Sequence, residues 1–155
     1  MWAPTNYAII KGLEVTGFEA FAAAASERYL AAMAEVFQNT GTVWENYAPE
    51  HPAPGNPAAR DFVGWSACGP IALLLENVLG FRPDGENQAL HWNLRLTESH
   101  GIRRLRFGKV TADLFYDGAG NVTVRSELPF TLTINDRHFD LQPGETRLQG
   151  VVPQP

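Results

Sequence analysis

Leu90-His91-Trp92-Asn93-Leu94-Arg95-Leu96 decides how this chain is read. Apolar and polar residues alternate with a period of two, which is the pattern of a strand with one buried face. Beyond it, strand patterns fall at about 104–107, 109–116, 121–126, 130–134, 139–142 and 146–149. Asp117-Gly118-Ala119-Gly120 and Asn135-Asp136 supply hairpin turn chemistry between them. These segments predict an antiparallel meander. The composition changes at about residue 85, before which Ala and Leu dominate and the period is helical.

Upstream, Pro4 suits an early helical position, and Ala3, Tyr7, Ile10 and Leu13 recur as one stripe of a helix from about 4 to 15. Gly17 ends it. A second helix is expected from about 18 to 38, burying Phe18, Phe21, Ala22, Ala25, Tyr29, Ala32, Met33 and Val36, with Asn39-Thr40-Gly41 as its stop. A short link makes the two a helical hairpin. A long loop, about 40–61, holds Pro49, Pro52, Pro54 and Pro57, and loops of that length in compact folds are usually functional or disordered. The third helix, about 66–79, is apolar on most sides and calls for neighbours all round it. The class is α+β, divided into 1–85 and 86–155.

The chain has 155 residues, a formal charge of −5 and no basic block, which argues against a nucleic-acid partner. No apolar run is long enough to span a bilayer, and no secretory leader is visible, so a cytoplasmic location is expected. The single cysteine, Cys68, excludes an intrachain disulfide and reads as buried and inert. His51, His91, His100 and His138 show no metal-ligand spacing, so no metal or other cofactor is implied.

Within the long loop, Thr42-Val43-Trp44-Glu45-Asn46-Tyr47 sets one carboxylate between aromatics and an amide. That is the local chemistry of a glycosidase general base. A solvated loop glutamate is the alternative. Glu50, five residues on, is the nearest second carboxylate in sequence.

Three elements then carry a family resemblance. Trp2-Ala3-Pro4-Thr5-Asn6-Tyr7 with Ile10-Lys11-Gly12-Leu13, the Trp44-Glu45-Asn46 segment, and Asp61-Phe62-Val63-Gly64-Trp65-Ser66 with Gly69-Pro70-Ile71 occur in the order and spacing seen in trehalase-like enzymes. Residues 1–82 resemble the C-terminal helices of the inverting (α/α)6 glycosidases that include trehalases, processing α-glucosidase I and mannosylglycerate hydrolase. The β-rich tail is similar to strands that follow the barrel in some bacterial members. The resemblance implies a partial (α/α)6 toroid, a small saccharide or glycoside as substrate, and Glu45 as the base that activates water. The family's general acid lies upstream of these motifs, so it is expected from a missing barrel segment or another polypeptide.

By the same resemblance Trp2, Trp44 and Trp65 are sugar-stacking platforms, each with core packing as the alternative. Asn6 would hold a hydroxyl, although it also suits a first-turn polar position, and Asn46 would orient the carboxylate or hold a hydroxyl. Tyr47 would pack under the loop or touch substrate, and Asp61 would bind substrate or cap the third helix. The tail reads as a structural cap or an accessory sugar-binding surface. The rival reading of the chain is a catalytically inert remnant or interaction domain. The apolar third helix and open hairpin lead to an expectation of self-association or of a missing partner segment.

Overall fold

The computed structural model describes residues 1–62 and 64–154, in two compact units, Met1–Val78 and Leu79–Pro155. In the first unit, helix α1 spans Ala3–Val15 and α2 spans Glu19–Thr40. The turn between them uses Gly17 at φ 88°, a conformation that a Cβ would oppose. Helix α2 stops at Gly41, whose left-handed φ of 73° lets its N–H bond to the Phe37 carbonyl.

The buried side of α2 begins with small residues and continues with large ones. Ala22, Ala23 and Ser26 are buried on α2 beside Tyr29, Met33 and Val36. The Ser26 hydroxyl is satisfied by the Ala22 carbonyl at 2.8 Å. Ala22, Tyr29, Met33 and Val36 are buried as the pattern predicts. Phe18 and Phe21 are 60% and 65% exposed rather than buried, because the small residues Ala22, Ala23 and Ser26 take the covered positions at this end of the helix.

Helix α3 is shorter than its hydrophobic run. It spans Gly64–Leu73 and then widens into a π-helical turn, Leu74–Val78. In this widened turn, successive residues Glu76 and Asn77 both reach Lys11 of α1, at 2.6 and 3.0 Å from Nζ. Lys11 also meets Glu14 at 2.8 Å, so one partly buried ammonium ties α1 to the end of α3. Only one side of α3 is covered in this unit: Leu73 is buried, while Ile71 and Leu74 are exposed. Cys68 is exposed, against the expectation of burial, because it lies off the Ser66, Pro70 and Leu73 side of α3 that is covered.

The second unit is two four-stranded sheets. Strands β1 (Phe81–Asp84), β2 (Ala89–Trp92), β6 (Phe130–Ile134) and β7 (Arg137–Leu141) pair in the order β1-β2-β6-β7. Strands β3 (His100–Phe107), β4 (Val110–Tyr116), β5 (Asn121–Ser126) and β8 (Gly144–Gln149) pair in the order β3-β4-β5-β8.

The simple antiparallel meander is therefore corrected. Strand β2 pairs with β6 in parallel, Leu90 opposite Leu132 and Trp92 opposite Ile134, with three strands of the other sheet as the crossover between them. A parallel pair needs a long connection of this kind. Strand β1 was invisible in the sequence because Pro83 interrupts its pattern. Proline is tolerated there because β1 is an edge strand. Strand β3 begins earlier than its pattern suggests, and a bulge between Ile102 and Leu105 carries Arg104 at φ 56°. The two hairpin signals act as expected, joining β4 to β5 and β6 to β7.

Both sheets feed one core. Leu90, Trp92, Leu132 and Ile134 of the first sheet and Val110, Leu114, Val122 and Val124 of the second belong to a single buried cluster. Trp92 is fully buried and tilted against Phe81 at 4.6 Å, and its indole N–H donates to the Leu79 carbonyl at 2.9 Å. Asn135 clamps the strand end beyond it: its Oδ1 accepts from the Leu94 N–H and its Nδ2 donates to the Val152 carbonyl.

Two outcomes follow from this packing. Trp92→Ala leaves a cavity and an unpaired carbonyl, and should lower the unfolding free energy of the second unit by about 3–5 kcal/mol, read by denaturant melting. In the first unit, burial pushes the Tyr29 hydroxyl up to about 12, with the neighbouring Asn6 amide pulling the other way. An unfolded tyrosine ionises at about pH 10, so between about pH 10 and 12 the unfolded chain has lost a proton that the folded chain keeps. The stability due to neutral Tyr29 is complete below about pH 10 and is lost as pH rises through that window. Absorbance titration should show one late phenolate, absent from Tyr29→Phe.

Candidate functional site

The loop between α2 and α3 has no regular partner, so its backbone must be satisfied piecemeal. It is. The Glu45 N–H donates to the Ala59 carbonyl at 2.9 Å, and the Glu45 carbonyl accepts the Ser66 hydroxyl at 3.1 Å. The Tyr47 N–H donates to the Met1 carbonyl at 2.8 Å, and the Met1 ammonium returns a bond to the Tyr47 carbonyl. Single β-bridges pair Trp2 with Asn46, Trp44 with Arg60 and Tyr47 with Pro54. The chain start, the loop and the first turn of α3 are thereby drawn together around residues 44–47.

The side chains divide by role. Tyr47 is buried, and its hydroxyl accepts the Trp44 N–H at 3.2 Å. Its ring props the loop from below. Trp44 is half-buried, with its indole N–H on the Thr40 hydroxyl at 3.1 Å. Asn46 donates from Nδ2 to the Pro57 carbonyl at 3.0 Å, and its own carbonyl accepts from Gly55. A Cβ at Gly55 would fall 1.6 Å from Asn46 Oδ1, so a glycine there is what lets the amide sit where it does. The Glu45 carboxylate is partly exposed, and one oxygen faces the Ala59 N–H at 3.4 Å. That contact is long and weak, and leaves the acceptor capacity of the group largely free.

Trp2 and Trp65 leave their rings 49% and 67% exposed. Trp65 is adjacent to Ser66, the residue that bonds the Glu45 carbonyl. Asp61 does not act as a buried ligand. It stands exposed at φ 58°, accepts the Thr42 hydroxyl at 2.5 Å and lies 3.8 Å from the Arg60 guanidinium, so it ties the two ends of the loop. Val63, within the quoted Asp61–Ser66 element, lies outside the described residues.

A hollow of about 540 Å³ lies elsewhere in this unit. It lies between α1, α2 and the segment 48–52, and Asn6, Tyr29, Arg28, Glu50 and His51 line it. Glu45, Trp44, Asn46, Asp61 and Trp65 do not. Asn6 thus separates from the other predicted residues. Its Nδ2 is buried beside the Tyr29 hydroxyl, and neither atom completes a hydrogen bond of good geometry. Sequence reasoning missed Ser66, Ala59 and Gly55, which fix Glu45 and Asn46 through backbone groups. The only signal for them was proximity to the Gly-Trp element and the proline-rich loop. Among the described residues no cluster of His, Cys, Asp and Glu is arranged to hold a metal ion.

The trehalase family model matches residues 1–77. That boundary lies one residue from the end of the first compact unit. No curated protein matches the chain. A candidate kojibiose phosphorylase from the human microbiome is similar in structure, with a TM-score of 0.39 and 10% identity, over 55% of this chain and 12% of that one. The chain therefore spans a small part of that protein's length, and a similarity this low carries no argument about activity. The family match makes residues 1–77, just under half of the chain, similar to the trehalase family.

Proposed function

We propose that the first unit supplies the general base of an inverting glycosidase acting on a small saccharide or glycoside, with Glu45 as that base. Inverting hydrolysis needs a carboxylate to deprotonate water and an acid set about 6.5–9.5 Å away to protonate the leaving oxygen. The observation that carries the reading is the fixing of Glu45: its backbone is held on both sides, by Ala59 and by Ser66, while its carboxylate keeps free acceptor capacity. A base works in this way when its position is rigid and its oxygens are not already spent.

In this reading Trp2 and Trp65 offer exposed indole faces to a sugar ring, Asn46 orients the edge of the loop, and Trp44 and Tyr47 support it. Asp61 acts on substrate only through the loop ends it ties. The acid comes from a barrel segment outside these 155 residues or from another polypeptide. The first unit is then an arc of an (α/α)6 toroid. The exposed faces at Ile9, Phe18, Phe21, Ile71 and Leu74 are where the rest of that barrel, or a second copy, packs.

A second reading is an inert segment that keeps the fold. The placement of Glu50 favours it, since the nearest other loop carboxylate in sequence lines a hollow that Glu45 does not line.

The deciding experiment measures hydrolysis of trehalose and aryl α-glucosides by the longest natural polypeptide containing this segment, beside its Glu45→Gln variant. The reading expects a fall in kcat of about 10²–10⁴-fold with KM little changed, and an inverted anomer as first product. Equal measurable rates remove Glu45 from the mechanism, and no hydrolysis by either selects the inert reading. Gly55→Ala should push the Asn46 amide off the Pro57 carbonyl, at a cost of about 1 kcal/mol for the lost bond, and lower kcat with Glu45 still present. Sedimentation of the isolated chain should show self-association, and a compact monomer that binds no apolar dye would contradict the uncovered faces.

A further inference from the structure

The outer face of the β3-β4-β5-β8 sheet has an order that packing does not require. Side chains from alternate positions of adjacent strands stand in rows across it. In one row Gly101 of β3 is opposite Phe115 of β4, which is opposite Thr123 of β5. In the next row Asp113 of β4 is opposite Arg125 of β5, which is opposite Glu145 of β8. These six residues line a hollow of about 330 Å³, at the lower end of the range that takes small ligands, roughly 300–1,000 Å³.

The hollow is enforced by the backbone. A Cβ at Gly101 would lie 2.2 Å from the Leu114 carbonyl oxygen and 2.8 Å from Phe115 Cα, so no side chain can stand opposite the Phe115 ring. Phe115 is left 51% exposed on an interior strand, where it protects no edge and fills no core. The charges beside it are balanced in place. The Arg125 guanidinium meets Glu145 at 2.7 Å, Arg147 meets the same carboxylate at 3.2 Å, and Asp113 accepts the Arg104 backbone N–H at 2.7 Å. Cross-strand ion pairs of this kind are ordinary on an exposed sheet. An aromatic ring set open beside them is not explained by solubility or pairing.

We propose that this face is a binding site for an uncharged short saccharide. The Phe115 ring takes the C–H face of one pyranose, and Asp113, Arg125, Glu145 and Thr123 exchange hydrogen bonds with its hydroxyls. Planar carboxylate and guanidinium groups suit vicinal hydroxyls because each offers two parallel acceptors or donors. The paired charges favour a neutral polyol over an anion, since Arg125 and Arg147 already share the carboxylate of Glu145. The site lies wholly within the second unit and does not rest on the glycosidase reading of the first.

The test is a titration of the isotopically labelled full chain with trehalose, maltotriose and cellotriose, followed by backbone amide shifts. Within the second unit, saturable shifts confined to residues 101–103, 113–115, 123–125 and 145 are expected with at least one of the three. Phe115→Ala should weaken binding about tenfold or more, Phe115→Tyr should retain it, and Glu45→Gln should leave it unchanged. Should Phe115→Ala fail to fold, Arg125→Gln decides in its place, with a loss expected there too. No shift on this face with any of the three sugars, shifts that persist undiminished in the folded variant, or shifts given by inorganic phosphate and not by sugar would each overturn the proposal.

Discussion

An irregular loop can hold a side chain in one place only if its own backbone is engaged. In this chain the segment around Glu45 meets that condition with borrowed partners. Ala59 accepts one bond, the hydroxyl of Ser66 supplies another, and Met1 and Tyr47 close the far side. None of these belongs to a helix ladder or a sheet. Each groups a different stretch of chain around the same four residues, so the loop cannot shift without breaking several bonds together. The end of α2 serves the same purpose, because its last residue, Thr40, accepts the Trp44 indole N–H.

What the sequence made legible follows from how local each signal is. The stop at Gly41 and the turns at 117–120 and 135–136 depend on the residues that occupy them, and they are where the pattern put them. The buried face of α2 was legible through Ala22, Tyr29, Met33 and Val36, but not near its start, where Ala23 and Ser26 are covered and Phe18 and Phe21 are not. The parallel pairing of β2 with β6 was not legible either. Alternation gives a strand and its faces, but it does not give the neighbour.

The site was legible in part for the same reason. Glu45, Asn46 and the tryptophans could be named because their residue types carry chemistry. The residues that position them act through backbone groups, through the Ser66 hydroxyl or through the lack of a Cβ. Nothing about alanine at 59 or glycine at 55 announces that role until the loop is folded. Asn6 is the opposite case. Its place after the Trp-Ala-Pro turn was clear, yet the fold aims its amide at Tyr29 rather than toward Glu45. A motif gives the order of residues along a helix, and the helix phase then decides which of them face the same way.

The coincidence of two boundaries bears on how the chain is built. The family match ends at residue 77, and the first compact unit ends at Val78, by a criterion that uses no sequence comparison. The π-helical turn occupies this same stretch, where Glu76 and Asn77 meet Lys11. A π turn costs hydrogen-bond geometry and persists where something else holds it. The ammonium of Lys11 is that restraint, and it secures the last residues of the family segment to its first helix. The second unit closes its own core around Trp92 and Phe81 immediately afterwards. Each half therefore carries its own means of ordering its ends, which is what a chain joined from two separable parts requires.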